Sequence, residues 1–263
     1  MKLATVRSGK ASHKGMVRSL NEDGLLSIEL SSVEGTEDMF LGLYAVADGV
    51  GGCERGEIAS NLALRVLAAS AVKSFLLPIL RQETHSLNKE SVLRALTEGV
   101  EVANNEIYIQ AQNKGINMGT TLAAALIVND TAYIANIGDS RIYLLEGEQL
   151  RQVTTDHSLV AALVAAGDIS PDEIYTHPRR NIITRCLGAQ RNVEVDLFAE
   201  TLKPGSALLL CSDGLWEMVR DDEIRDVVFK AQTPQDACEQ LVELANRNGG
   251  VDNISVIVVK VTS

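Results

Sequence analysis

The sequence predicts an α+β fold in which antiparallel sheets are covered by helices. Three observations carry this. Short apolar runs bounded by Gly, Asp and Asn come in consecutive groups, two long amphipathic helices follow one another, and no regular strand–helix–strand alternation links them. A doubly wound parallel sheet would require that alternation.

The strands are expected at 25–30, 40–47, 121–128, 131–137, 141–145, 206–211 and 254–261. Asn129-Asp130 joins two of them and suits a hairpin turn. A helix is expected over 56–77, where Ile58, Leu62, Val66 and Ala69 recur at helical spacing, and another over 89–114, through Leu93, Leu96, Val100, Ala103 and Ile107. Ser91 is a weak start signal for the second. Thr233 before Pro234 marks the start of a third, over 234–247. Each helix has one apolar stripe and is expected to lie on a sheet face.

The chain has 263 residues, enough to bury a large core without staples. Its net charge of −11 speaks against nucleic acid or an anionic membrane as partner. Cys53, Cys186, Cys211 and Cys238 are scattered, with no paired spacing, which points to a reducing compartment and against zinc. Cys211, within LLLCS, reads as a buried inert thiol. The N-terminus has no apolar signal core and no run reaches the ~18 apolar residues of a membrane span, so the expected location is cytoplasmic.

The informative feature is where the aspartates fall. Apolar runs meet an acid at one end in YAVAD (Asp48), IANIGD (Asp139), LLLCSD (Asp213) and DNISVIVV (Asp252), and Glu22-Asp23 directly precedes LLSIEL. If these strands neighbour one another, their tips gather five or six carboxylates. Such a cluster repels itself unless protonated or neutralised. A hard divalent cation such as Mg²⁺ or Mn²⁺ removes that cost. Two ions about 4 Å apart can share a carboxylate and a hydroxide that attacks phosphorus. Asp and Gly also suit plain turns, so on spacing alone turns and a metal site both remain open.

Eight segments, in order, resemble the PPM or PP2C-type protein phosphatases in their short bacterial form: RSLNED, VADGVGG, MGTTLAAAL, NIGDSRIYLL, TTDHS, HPRRNIITRCLG, LLLCSDGLWE and GGVDNISVIVV. They span nearly the whole chain. The resemblance implies a single domain over 1–263, a sandwich of two antiparallel β-sheets flanked by pairs of α-helices, with metals at one edge. It implies hydrolysis of phosphoserine and phosphothreonine in proteins, opposing a Ser/Thr kinase. By the same resemblance Asp48 bridges two ions (Mn²⁺ or Mg²⁺), the Gly49 carbonyl ligates one, Asp213 and Asp252 complete one shell, and Glu22 and Asp23 hold the other. Asp139 with Asp213 takes a third, weaker ion, and Asn253 orients Asp252 or a metal-bound water. Arg18 binds the substrate phosphate through paired hydrogen bonds.

Many eukaryotic members have histidine where this chain, like the short bacterial members, has none and carries Val50. The proton donor is therefore open among a metal-bound water, His157 and His177. Residues 156–187 resemble the family's flap, with a helix over 158–166 ending at Gly167, a turn starting at Pro171-Asp172-Glu173, and Arg179, Arg180 and Arg185 as basic residues suited to a phosphopeptide. Two other classes remain at this point: a degenerate fold that only binds, from which the full aspartate set argues away, and a phosphoesterase for small molecules.

Overall fold

The computed structural model describes residues 5–34, 37–50, 55–81 and 87–262; Cys53, the Gly51-Gly52 end of the VADGVGG motif and the first four residues lie outside them. Ten strands form two five-stranded antiparallel sheets. One has the order β1 (Thr5–His13), β10 (Ile254–Thr262), β9 (Ala207–Cys211), β6 (Arg141–Glu146), β7 (Gln149–Gln152). The other runs β2 (Gly24–Glu34), β3 (Glu37–Ala47), β4 (Leu122–Val128), β5 (Thr131–Ile137), β8 (Asp196–Thr201).

Alternation within each strand divides the core into three layers. From β3, Phe40, Tyr44 and Val46 meet Ile142, Leu144, Leu208, Leu210, Ile257 and Val259 between the sheets. The intervening Leu41, Leu43 and Ala45 point outward and pack under helices α1 (Gly56–Ala71) and α3 (Lys89–Lys114). On the other sheet Leu209, Cys211, Val256 and Val258 turn outward under α6 (Asp221–Lys230) and α7 (Pro234–Arg247). The strands that are apolar on both faces are thus the inner ones, covered on both sides.

The expected helix over 56–77 runs on through a π-turn, Val72–Leu76, and a last turn α2 (Leu77–Leu80). By length and composition alone Gly56–Leu80 could cross a membrane, against the expectation that no run qualifies. In the fold its Ala59, Ala63, Leu64 and Leu67 are buried in the layer over the second sheet. Asn88, not Ser91, caps α3: its Oδ1 accepts the Ser91 N–H at 2.9 Å. Thr233 caps α7 as expected, and Asp236 accepts the Thr233 N–H in return. The hairpin at 129–130 closes with Asn129 at φ 55°, a left-handed conformation that asparagine tolerates.

Strands β1, β7 and β8 and helices α5 (Asp213–Trp216) and α6 are additions to the elements expected from the sequence. The three strands all lie on sheet edges, and β1 is largely polar. In the flap, α4 (Leu159–Ala166) starts at Ser158, whose hydroxyl accepts the Ala161 N–H, and stops at Gly167; a 3₁₀ turn follows at Pro171–Tyr175. Burial pushes the Cys238 thiol up to about 12 and the Cys211 thiol higher still, so both are inert at neutral pH.

Candidate metal centre

Strand register gathers the acids. Gly24 pairs with Ala47, Val46 with Ala123 and Leu122 with Ile137, so Glu22-Asp23, Asp48 and the turn after β5 share one end of the second sheet. Arg141 and Val256 both pair with Cys211, which brings Asp139, Asp213 and Asp252 to one end of the first. The turn Gly138-Asp139-Ser140 crosses between the sheets, so these two ends coincide.

There a cleft of about 300 Å³ opens, lined by Arg18, Glu22, Asp48, Gly49, Val50, Asn181, Ile183, Asp213 and Asp252. Asn181 and Ile183 come from the flap, the others from strand tips and the loops beside them. Asp23 and Asp139 do not line the cleft. They lie buried beneath it, 9% and 2% exposed.

Backbone contacts hold the acids in place. The Asp48 N–H donates to Thr121 Oγ1 at 3.0 Å, and its carbonyl accepts from the Thr121 N–H and the Thr120 hydroxyl, each at 2.8 Å. These contacts use only the Asp48 backbone and leave its carboxylate to the cleft. A side chain at Gly49 would lie 2.5 Å from the Gly56 backbone, so glycine permits the close approach of the β3 tip to the start of α1. The Ser60 hydroxyl donates to the Glu22 carbonyl at 2.6 Å. Asp23 accepts from Ser212 Oγ at 2.8 Å.

Asn253 touches Asp252 through its backbone and the RSLNED loop through its side chain. Its backbone N–H donates to Asp252 Oδ1 at 2.8 Å, but its side chain faces the RSLNED loop. There Oδ1 accepts the Glu22 N–H at 2.7 Å, while Nδ2 donates to the carbonyls of Lys14 and Leu20. The amide thus fastens the loop carrying Arg18 and Glu22 to the strand carrying Asp252.

The carboxyls disturb one another. Burial, then Asp23, Asp213 and Asp139, push the Asp48 carboxyl well above its usual range; burial and Asp139 do the same to Asp213. Burial raises Asp23 to about 6, and burial with Asp156 nearby raises Asp139 to about 7. Glu22 is raised too, by burial and Glu57. Asp23, Asp139 and Asp213 each keep a buried Oδ1 without a hydrogen-bond partner. Orphaned carboxylate oxygens in a self-repelling cluster are what a divalent cation would satisfy, and every donor is a hard oxygen. Among the described residues no three acidic, histidine or cysteine side chains already stand in finished ligand geometry. Arg18 Nη2, 2.6 Å from Asp252 Oδ2, occupies one prospective donor. It is the chemistry of the donors, rather than their present spacing, that fits hard cations.

Residues 31–246 match the sequence model of the family described as protein phosphatase 2C. The chain belongs to the protein phosphatase 2C family. It is 39% identical over 220 residues to the serine/threonine phosphatase stp of Listeria monocytogenes, covering 83% of this chain and 84% of that one. The crystal structure of serine/threonine phosphatase Stp1 from Staphylococcus aureus superposes with a TM-score of 0.84 at 32% identity, covering 100% of this chain and 98% of that one. The catalytic domain of the phosphatase PstP, solved in complex with two manganese ions, matches with a TM-score of 0.79 at 32% identity, over 98% and 99% of the two chains. The sandwich expected from the motifs is the fold of these PP2C phosphatases.

Neither histidine serves the PP2C cleft directly. His157 is buried: Nδ1 accepts the Gly138 N–H at 2.9 Å, and Nε2 stands 3.1 Å from Asp196 Oδ2. His177 Nδ1 accepts the Arg179 N–H, and neither ring lines the cleft. Of the flap arginines, Arg185 pairs with Asp196 at 2.7 Å and Arg180 with Glu217 at 3.3 Å. None of Arg179, Arg180 and Arg185 lines the cleft.

Several supporting residues stand outside the sequence expectations. Ser212, just after β9, and Ser255, in β10, are hydroxyl residues beside apolar runs, a signal that marks them for a polar partner. Arg141 and Asp156 lie within the recognised motifs but carry no role there. They form a buried ion pair at 2.7 Å, and the Arg141 guanidinium stacks 3.6 Å over Trp216, whose Nε1 donates to the Asp139 carbonyl.

Proposed function

We propose that this chain hydrolyses the phosphate esters of phosphoserine and phosphothreonine in proteins, using two divalent cations, Mn²⁺ or Mg²⁺. The observation that carries the reading is the meeting of Asp48 and Asp213, beside a guanidinium in one cleft, with Asp23 and Asp139 buried near them, and an orphaned buried oxygen on Asp213, Asp23 and Asp139. Asp48 would lie between the two ions. Asp213 and Asp252 would complete one side, and Glu22, Asp23 and the Gly49 carbonyl the other; Asp139 with Asp213 would take a third, weaker ion. When bound, the cations acidify water and offset charge on the phosphoryl group.

The protein's own groups do the rest. Arg18, its side chain 42% exposed, turns from Asp252 to grip two phosphate oxygens and fix the ester. Among the described residues no histidine lines the cleft, so water reaching the open site protonates the departing seryl or threonyl oxygen. The chain works as one domain. Residues 156–187 act as a flap subdomain, with Asn181 and Ile183 as the wall met by the substrate chain. The setting is the cytoplasm of a bacterium, where the enzyme reverses a Ser/Thr kinase.

The test is turnover of a phosphothreonine peptide with Mn²⁺, with and without chelator. Release of phosphate that stops on chelation and returns with Mn²⁺ is expected. Undiminished turnover after complete metal removal would sink the reading.

A further inference from the structure

Large apolar side chains exposed to solvent are unevenly placed. Of eleven among the described residues, four lie within two positions of Arg18 or Asp252: Met16 (66% exposed), Val17 (69%), Leu20 (52%) and Val251 (39%). Scattered exposed apolar residues need no explanation, whereas a group of them at the rim of a site does.

The rim is a built feature. The Met16 N–H donates to the Gly250 carbonyl at 2.7 Å, tying the loop after β1 to the loop before Asp252. Gly15, at φ 76°, lies so close to the Asp252 carbonyl that an added side chain would stand 2.1 Å from it. Asn253 holds the Leu20 carbonyl from the other side. The apolar side chains are therefore carried by the same backbone that positions Arg18 and Asp252, and their distance from the phosphate site is set. Met16 also floors a groove of about 510 Å³ with Ala11 and Val242, edged by Glu239, Asn246 and the ion pair of Glu243 with Arg247 at 3.7 Å.

We propose that this rim and groove bind the substrate chain beside its phosphorylated residue, favouring an apolar side chain next to the phosphothreonine. The proposal rests on the phosphatase reading and specifies its substrate. Adjacency to the cleft decides the occupant: Arg18 and Asp252 line the cleft, and Met16, Val17, Leu20 and Val251 lie within two residues of them, so a chain whose phosphate reaches Arg18 passes beside this rim.

The test uses the full chain with Mn²⁺ and three substrates. One is a short phosphothreonine peptide with leucine within two residues of the phosphothreonine and arginine at its ends. The second has serine for each leucine, and the third is p-nitrophenyl phosphate. The native protein is expected to prefer the first peptide by about tenfold in kcat/KM, roughly 1.4 kcal/mol. The variant M16S/V17S/L20S should lose that preference, keep its rate on p-nitrophenyl phosphate and keep its melting temperature. Equal rates on the two peptides with native protein would overturn the proposal, as would equal losses by the variant on all three substrates. A native protein that self-associates through this face, becoming monomeric in the variant with no change in peptide preference, would overturn it too. Failure of the native protein on all three substrates would instead remove the phosphatase reading beneath it.

Discussion

The Arg18 guanidinium meets Asp252 at 2.6 Å, Nη2 to Oδ2, where both line the cleft. A prospective metal ligand and a prospective phosphate ligand thus satisfy each other. On the proposed roles, a cation arriving at Asp252 would compete with the arginine and free it for phosphate.

Replacing Arg18 by alanine should separate these roles. A charge-assisted contact to phosphate contributes roughly 1.5–3 kcal/mol, so kcat/KM for a phosphopeptide should fall about 10- to 100-fold. Mn²⁺ affinity, measured by calorimetry, should hold or rise, because Asp252 loses its competitor. Weaker Mn²⁺ binding in R18A would show that the pair assists the metal.

Neutralising the clustered acids should split activity from stability. Asp48→Asn, Asp213→Asn and Asp252→Asn should each cost more than about 100-fold in turnover, since residues one step removed from a metal already cost about 10- to 100-fold. Asp48 and Asp213 are buried among like charges, so their asparagine variants should melt higher than the native protein in chelator. Near-native turnover in all three would remove the metal assignment.

The same acids predict how stability in chelator varies with pH. Asp23 and Asp139 are raised to about 6 and about 7 in the folded chain, from an ordinary value of 3.8. Raised folded values mean that the folded state holds these protons more tightly. Their contribution is full below about pH 4 and lost as pH climbs through 6 and 7. In chelator the melting temperature should rise on acidification from about pH 8 to about pH 6, by several degrees if a few kcal/mol are involved. Saturating Mn²⁺ should flatten that slope. A melting temperature in chelator that falls over the same range would contradict the assigned shifts.

Much of this site was legible because an acid ending an apolar run is visible in one dimension. Asp48, Asp139 and Asp213 end such runs, and antiparallel register then brings them together. The helices over 89–114 and 234–247 were legible from apolar spacing. Strand β1 was not: TVRSGKASH has two basic residues and little apolar alternation, and is held by its ladder to β10 and by Gly9, where an added side chain would stand 2.3 Å from the Gln235 backbone. Nor could local sequence show what Asn253 holds, because its partners Lys14, Leu20 and Glu22 are more than 230 residues away in the chain.

Gly214 carries a further prediction about how Asp213 is placed. A side chain there would stand 2.0 Å from the Asn253 carbonyl, on the strand start that follows Asp252. Gly214→Ala must push α5 (Asp213–Trp216) away from β10, parting Asp213 from Asp252. Overpacking of this kind costs about 1–3 kcal/mol. The melting temperature should drop by several degrees and the Mn²⁺ concentration for half-maximal activity should rise. An unchanged metal requirement would show that the spacing of the two aspartates is not critical.

The last prediction concerns Arg141, beneath the site. Its guanidinium makes three hydrogen bonds to Asp156, one to the Tyr143 hydroxyl, and stacks on Trp216. Both side chains of the ion pair are 5% exposed. Removing one partner leaves the other buried and unpaired, which costs roughly 3–5 kcal/mol. Arg141→Ala should therefore be far more destabilising than an exposed arginine change, and the double variant R141A/D156A less so than the sum of the singles. The damage should also reach the metal centre: Trp216 packs on this guanidinium and donates to the Asp139 carbonyl at 3.0 Å. A double-mutant cycle by thermal unfolding, with Mn²⁺ titration of each variant, measures both effects. Additive losses within about 0.5 kcal/mol would mean that the two residues act independently, and the ion pair would then not be what secures the floor of the cleft.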